Sequence, residues 1–308
     1  MTDIDVQVLD HDDHAALTRF VAAEHALGST ESIEQRRAAA AWSLDYRLLL
    51  ATRSGQVAGT CVAARQIIDG GHKVFLIPKL AGPDADVVRA FTVELTAWEV
   101  ARRAPLVVPN LRNPTDAERA PWIEAGYRPH GARQQWSRGI DDPATHAQPA
   151  IRGVTFALLA DHPELELSAH TAWCDAYARI PDMTGVAAAP SLEAWRRELR
   201  GDVADGGADR PLPVHLAVDD TGRVLGVACI GWPSTSGGTA IHRMTGVVAD
   251  ARGRGIARAL KETQLIWAAG RFERIRCSNH EQNAAMLHIN EQIGYVRGDR
   301  IEMLSIAL

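Results

Sequence analysis

Cysteine is scarce in this chain: Cys61, Cys174, Cys229 and Cys277 are the only four, far apart and mostly inside apolar runs. None has the paired spacing of a zinc or redox site, so they read as reduced core thiols. No apolar run approaches membrane-spanning length, and none of signal-peptide type follows the opening MTDIDVQ, so the expectation is a cytoplasmic chain with no membrane partner. Lysine occurs only at Lys73, Lys79 and Lys261, and the net charge is -5. That balance speaks against general binding of nucleic acid, which rewards a basic face. The cluster from His11 to His14 (HDDH) reads as a polar helix start, and no metal site is expected.

What is present is enough apolar material for two cores: 46% of 308 residues are hydrophobic. The pattern also repeats. LLLATRSGQVAGTCVAA (48–64) and VHLAVDDTGRVLGVACIG (214–231) both read as strand, glycine turn, strand. Gly55 and Gly222 head the two turns 167 positions apart, and Gly126 and Gly294 lie 168 apart in EAGYRPHG and EQIGYVRG. A constant offset across distant landmarks means internal duplication. Val87, Phe91 and Trp98 are spaced as Ile256, Leu260 and Trp267 are, which lays one apolar stripe along a helix in each half. The polar, proline-containing stretch 141–150 separates a first domain, 1–140, from a second, 151–308. The fold class is α/β, each half mixing antiparallel hairpins with one crossover through the long helix. Trp122, Trp136, Trp173 and Trp195 read as core anchors.

The halves differ at one place. In the second, the strand TAIHRMTGVVAD runs straight into ARGRGIARALKETQLIWAAG, where Gly253 and Gly255 let the backbone turn tightly. Successive N–H groups and the first free amides of the helix then face one anion, with Arg252 and Arg254 adding charge. Such a nest suits a pyrophosphate. In the first half GPDADVV stands instead: Pro83 has no N–H, and Asp84 and Asp86 would repel a phosphate while capping their own helix. Downstream, RIRCSNHEQNAAMLHINEQIGY reads as a strand ending at Asn279 and a helix from Asn283 to Gly294.

With these motifs the second half resembles the GNAT superfamily of acyl-CoA-dependent N-acyltransferases. Arg252, Gly255 and Ala257 meet the family's pyrophosphate signature, and Asn283, Met286, Gly294 and Tyr295 its later pattern. The first half matches only in outline, as in tandem GNAT chains of the mycothiol synthase kind with a degenerate first domain. The resemblance implies two tandem GNAT-like domains, each a mixed, largely antiparallel twisted sheet flanked by helices. It implies acetyl-CoA as co-substrate, its pyrophosphate on Arg252, Gly253, Arg254, Gly255, Ile256 and Ala257, with Asn283 nearby. The pantetheine arm would lie along Thr245, Gly246, Val247 and Val248, an N–H near Thr245 polarising the thioester carbonyl.

The proton-transfer groups depart from the family. Asn290 stands where a tyrosine often protonates the leaving thiolate, and an amide can donate a hydrogen bond there but not a proton. Arg243 and Ile241 stand where many members carry a base. His242 is the candidate base, with His280 and Glu281 as further choices, and Asn279 is expected to order water or substrate. The acceptor pocket is expected from 175–191 and 231–238, with Tyr177 and Asp182 holding a cationic amine. The expected activity is N-acetylation of a small-molecule amine. The alternatives are a non-catalytic acyl-CoA sensor and a tandem-GNAT-like aminoacyl transferase, which would need a basic channel for charged tRNA.

Overall fold

The computed structural model describes residues 3–41, 45–68, 71–99, 105–140, 148–178, 190–199, 211–231 and 238–307. The chain forms two compact units, Met1–Ala132 with Arg300–Leu308, and Arg133–Asp299.

The first unit runs β1 (Ile4–Leu9), α1 (His14–Ala26), α2 (Ile33–Ala41), β2 (Asp45–Arg53), β3 (Gln56–Ile68), β4 (Gly71–Leu80), α3 (Ala85–Glu99), β5 (Leu106–Arg112) and α4 (Asp116–Glu124). Its strands lie in the order β1, β2, β3, β4, β5, followed by β12 (Val296–Ile306) from the end of the chain. All neighbouring pairs are antiparallel except β4 with β5. Gly55 turns the β2–β3 hairpin at φ +78°. Leu49, Val74, Phe91, Trp122 and Tyr127 share one core with Leu304 of β12. The HDDH stretch serves the start of α1: the Asp13 carboxylate accepts from Ala15 N at 2.9 Å, and His11 packs edge-on against Tyr46.

The second unit contains the later part of β6 (Arg128–Gly139), then β7 (Val154–Leu158), α5 (Glu166–Tyr177), α6 (Leu192–Leu199), β8 (Val214–Asp219), β9 (Val224–Gly231), β10 (Thr239–Val247), α7 (Ile256–Ala268), β11 (Arg274–His280) and α8 (Ala284–Gln292). Its strands are ordered β6, β11, β10, β9, β8, β7, and only β10 with β11 is parallel. β9 is buried at all eight positions because α5 and α7 both pack on it. Its unbroken apolar run VLGVACIG is what a strand covered on both faces requires. Trp173 and Trp195 meet edge to face, ring centroids 5.9 Å apart, in a core with Leu216, Val227 and Leu260, and Trp136 anchors a second cluster with Ile275.

These units differ from the halves split at 141–150. Ile301–Ile306 pairs with β5 in the first unit, and Arg133–Gly139 pairs with β11 in the second. Each half therefore gives its last strand to the other unit's sheet, a choice made by hydrogen bonding between segments remote in sequence. Of the expected linker, residues 141–147 lie outside the described residues. All four cysteines are free thiols. Among the described residues, no helix is long and apolar enough to cross a membrane.

Candidate active site

β10 positions the site by parting from its neighbour. It pairs with β11 at only three places, Thr239 with Arg274, Ala240 with Ile275 and Ile241 with Arg276. On its other side it stays paired to β9 as far as Val247, with the register shifting between His242 and Met244 so that Arg243 is the extra residue. A bulge of this kind bends the strand that carries it. Between the separated strands lies a cleft of about 70 Å³ walled by Thr245, Asn279, Asn283 and Met286, with His242 and Lys261 at its base. Beyond Ile241, among the described residues, β10 has no strand pairing with β11.

At the end of β10 the chain turns through two left-handed glycines, Gly253 at φ +76° and Gly255 at φ +81°, into α7. Gly255 is the N-cap and no side chain caps the helix; no acidic residue occupies the first turn. The opening amides of α7 therefore keep their donors. Nothing lies within 4 Å of where a Cβ would stand at either glycine, so the space over the cradle is open. Ile256 is buried and anchors the helix, while Gly253, Arg254 and Gly255 are exposed. Arg252 is partly committed, its Nε donating to the Val247 carbonyl at 3.1 Å. The loop is also held by Ala249 N donating to Asp175 at 2.9 Å and by the two-point ion pair of Arg223 with Asp250. Gly226 lets α7 approach β9: a Cβ there would stand 3.0 Å from the Gly246 carbonyl and 3.1 Å from Leu260.

The corresponding turn of the first unit is already filled. Asp84 Oδ1 accepts from Asp86 N at 3.0 Å and Val87 N at 3.3 Å, and Arg53 pairs with Asp84 at 2.9 Å. Two amides and a nearby cation are thus satisfied by the chain's own carboxylate.

Beneath the cleft, the polar side chains are enclosed. Asn290 is fully buried and donates from Nδ2 to Asn279 Oδ1 at 2.8 Å, while its own Oδ1 has no partner among the described residues. The site therefore brings together two residues read from the sequence as separate. His242 is 6% exposed, and its Nε2 is hydrogen-bonded to the Tyr295 hydroxyl. Burial, reinforced by nearby Lys261, pulls the imidazole well below its ordinary range, and burial pushes the Tyr295 phenol well above its own. A neutral, enclosed histidine already engaged by a phenol is poorly placed to collect a substrate's proton. Asn283 caps α8, accepting from Met286 N at 3.3 Å. His280 is buried, its Nδ1 accepting from Gln282 N at 3.2 Å, and Glu281 is exposed. Tyr177 packs against the Trp173 core from the end of α5. Asp182 lies outside the described residues, with the rest of 179–189 and with 232–237 of the expected acceptor loops.

Sequence reasoning passed over Lys261, Gln264 and Cys277, all buried under the same cleft. Lys261 Nζ lies 3.7 Å from Cys277 Sγ and 5.1 Å from the centre of the Tyr295 ring. The available signal was a charged residue on the inward stripe of α7, beside Leu260 and Leu265.

Residues 173–295 match the model of the acetyltransferase (GNAT) family, and the chain accordingly carries a GNAT acetyltransferase domain. Among solved structures it is similar to a GCN5-related N-acetyltransferase from Sphaerobacter thermophilus, with 17% identity, TM-score 0.69, and 99% of this chain and 96% of that one covered. It is similar also to a tandem GNAT protein from the clavulanic acid biosynthesis pathway, with 15% identity, TM-score 0.70 and coverages of 99% and 98%. A third is the Saccharomyces cerevisiae N-myristoyltransferase with bound myristoyl-CoA, with 8% identity, TM-score 0.56 and coverages of 100% and 79%. At these identities the likeness shows the fold. No curated protein sequence matches the chain.

Proposed function

We propose that the second unit transfers an acetyl group from acetyl-CoA to the amine of a small molecule, by direct attack of the neutral amine on the thioester carbonyl. The observation that carries this reading is the uncapped start of α7: two left-handed glycines, no carboxylate in the first turn, open space above, and Arg254 exposed alongside. An array of free amides at a helix N-terminus binds phosphate oxygens without further machinery. The residues from Arg252 to Ala257 fit the pyrophosphate of CoA, and the unpartnered edge of β10 from Thr245 fits the amide groups of its pantetheine arm. Asn283 would contribute through its place at the mouth of α8 rather than through a free side chain.

An amide N–H beside Thr245 would stabilise the charge that develops on the thioester oxygen, and holding both reactants in the cleft supplies proximity. Asn279, fixed by Asn290, is suited to order a water or the acceptor. Tyr177 and Asp182 are proposed to hold a cationic acceptor. A second reading, a non-catalytic acyl-CoA sensor, is favoured by Arg243 and Ile241 at the usual base positions, an amide at the usual acid position, Asn290, and the enclosure of the candidate base His242. A screen of amines with acetyl-CoA, read as release of CoA thiol, separates the two. Amine-dependent thiol release supports the enzyme; tight CoA binding with no release for any amine supports the sensor.

A further inference from the structure

A lysine with no carboxylate partner is an uncommon thing to bury. Lys261 is 1% exposed, and among the described residues no Asp or Glu pairs with it. Its Nζ meets a thiol and a phenol ring, and an imidazole lies near enough to feel its charge. Cys277 comes from β11, Tyr295 from the turn after α8 and His242 from β10. Of the titratable groups facing it, the thiol and the phenol hold their protons more firmly because they are buried, and the imidazole is held neutral. Among the described residues lining the cleft, Lys261 and Arg243 are the basic side chains, and no aspartate or glutamate lines it. Lys261 lines the cleft together with Thr245, Asn279 and Met286, and its Nζ lies 3.7 Å from Cys277 Sγ. No structural ion pair explains it.

We propose that Lys261 is the proton donor of the site, with its ammonium facing the sulfur of a bound thioester. The inference rests on the acetyltransferase reading above. When the amine nitrogen has bonded to the carbonyl carbon, the C–S bond breaks and its electron pair goes to sulfur. Lys261 gives that sulfur a proton, yielding the free CoA thiol and a neutral lysine. The nitrogen, now an amide, releases its surplus proton to water, and water reprotonates Lys261, so the sum is amine plus thioester giving amide plus thiol. Burial lowers the lysine's pKa from its ordinary value, which makes it a stronger acid than an exposed lysine. Cys277 and the Tyr295 ring steady the ammonium without neutralising it.

Two measurements on the full chain test this. In the first, calorimetry compares CoA with desulfo-CoA, which lacks the sulfur. The wild-type chain should prefer CoA about tenfold or more at mildly alkaline pH, as a thiolate beside an ammonium requires. Lys261→Met and Lys261→Gln should bind the two ligands equally, with desulfo-CoA affinity unchanged from wild type, which also reports that the variants are folded. In the second, kcat for thiol release should fall at high pH in the wild type, as the donor loses its proton. It should drop about a hundredfold or more in both variants, with that alkaline limb gone. Equal wild-type affinity for CoA and desulfo-CoA, or variants that keep kcat within threefold and the same pH profile, would overturn the role of Lys261 while leaving the acetyltransferase reading intact. A wild-type chain that binds CoA but releases thiol to no amine would overturn both.

Discussion

His215 shows how a single buried side chain ties the fold to pH. It is 2% exposed on β8, its Nδ1 has no partner among the described residues, and its ring meets the edge of Trp267. Desolvation alone pulls its pKa down to about 4, against an unfolded value near 6.5. Because the folded value is the lower one, the unfolded chain binds the extra proton, and stability is fully present above pH 6.5 and is lost as pH falls toward 4. The shift corresponds to on the order of 3 kcal/mol for this group, and His242 acts in the same direction. Urea unfolding between pH 7 and pH 5 should therefore show a falling midpoint, and His215→Phe should flatten part of that slope; a midpoint that does not move would refute it. At this scale the sequence was legible where chemistry demands a particular residue type: Gly253, Gly255 and the exposed Arg254 stand as expected. It was not legible where burial decides. Nothing local to Asn290 says that its amide is enclosed and bonded to Asn279, and the same enclosure would force a tyrosine placed there to overpack the core, at about 1–3 kcal/mol.

Among the elements, the fit of α5 against β10 and of α7 against β9 depends on missing side chains. A Cβ at Gly246 would stand 2.3 Å from the Ala176 Cβ and 3.1 Å from the Met244 Cε, so Gly246→Ala must push α5 away from the strand that frames the cleft. The expected cost is about 1–3 kcal/mol, read as a lower denaturant midpoint. Gly255→Ala offers the contrast. No atom lies within 4 Å of the new methyl, so its cost is confined to holding φ at +81°, about 1–2 kcal/mol. If Gly246→Ala proved as stable as the wild type, the close approach of α5 to β10 would be wrong. The existence of α7, β10 and the two hairpins followed from period and turn residues, since those signals are local. The divergence of β10 from β11 had no such signal, because it follows from which residues find hydrogen-bond partners across the sheet and from the bulge at Arg243.

The molecule as a whole repeats one plan of elements, and the helix starts that correspond in its two halves differ. The duplication was visible in offsets of 167 and 168, because the turn glycines are fixed by their backbone angles: Gly55 and Gly222 at φ +78° and +85°, Gly126 and Gly294 at +100° and +80°. The exchange of terminal strands was not visible, since β6 and β12 carry the same strand pattern whichever sheet they join. Expected binding follows from the two helix starts. The start of α7 is uncapped and free of carboxylates, whereas the start of α3 is occupied by Asp84, held there by Arg53 and two amides. Calorimetric titration should give one CoA per chain. Arg254→Ala should weaken it about ten- to a hundredfold, the loss of a charge-assisted hydrogen bond of about 1.5–3 kcal/mol. Asp84→Ala with Asp86→Ala should leave CoA affinity unchanged, because Pro83 still withholds an amide and no left-handed glycine turns the backbone there, while the lost cap lowers stability by about 1 kcal/mol. A stoichiometry near two, or affinity that responds to the aspartate pair, would show that the first unit also takes CoA.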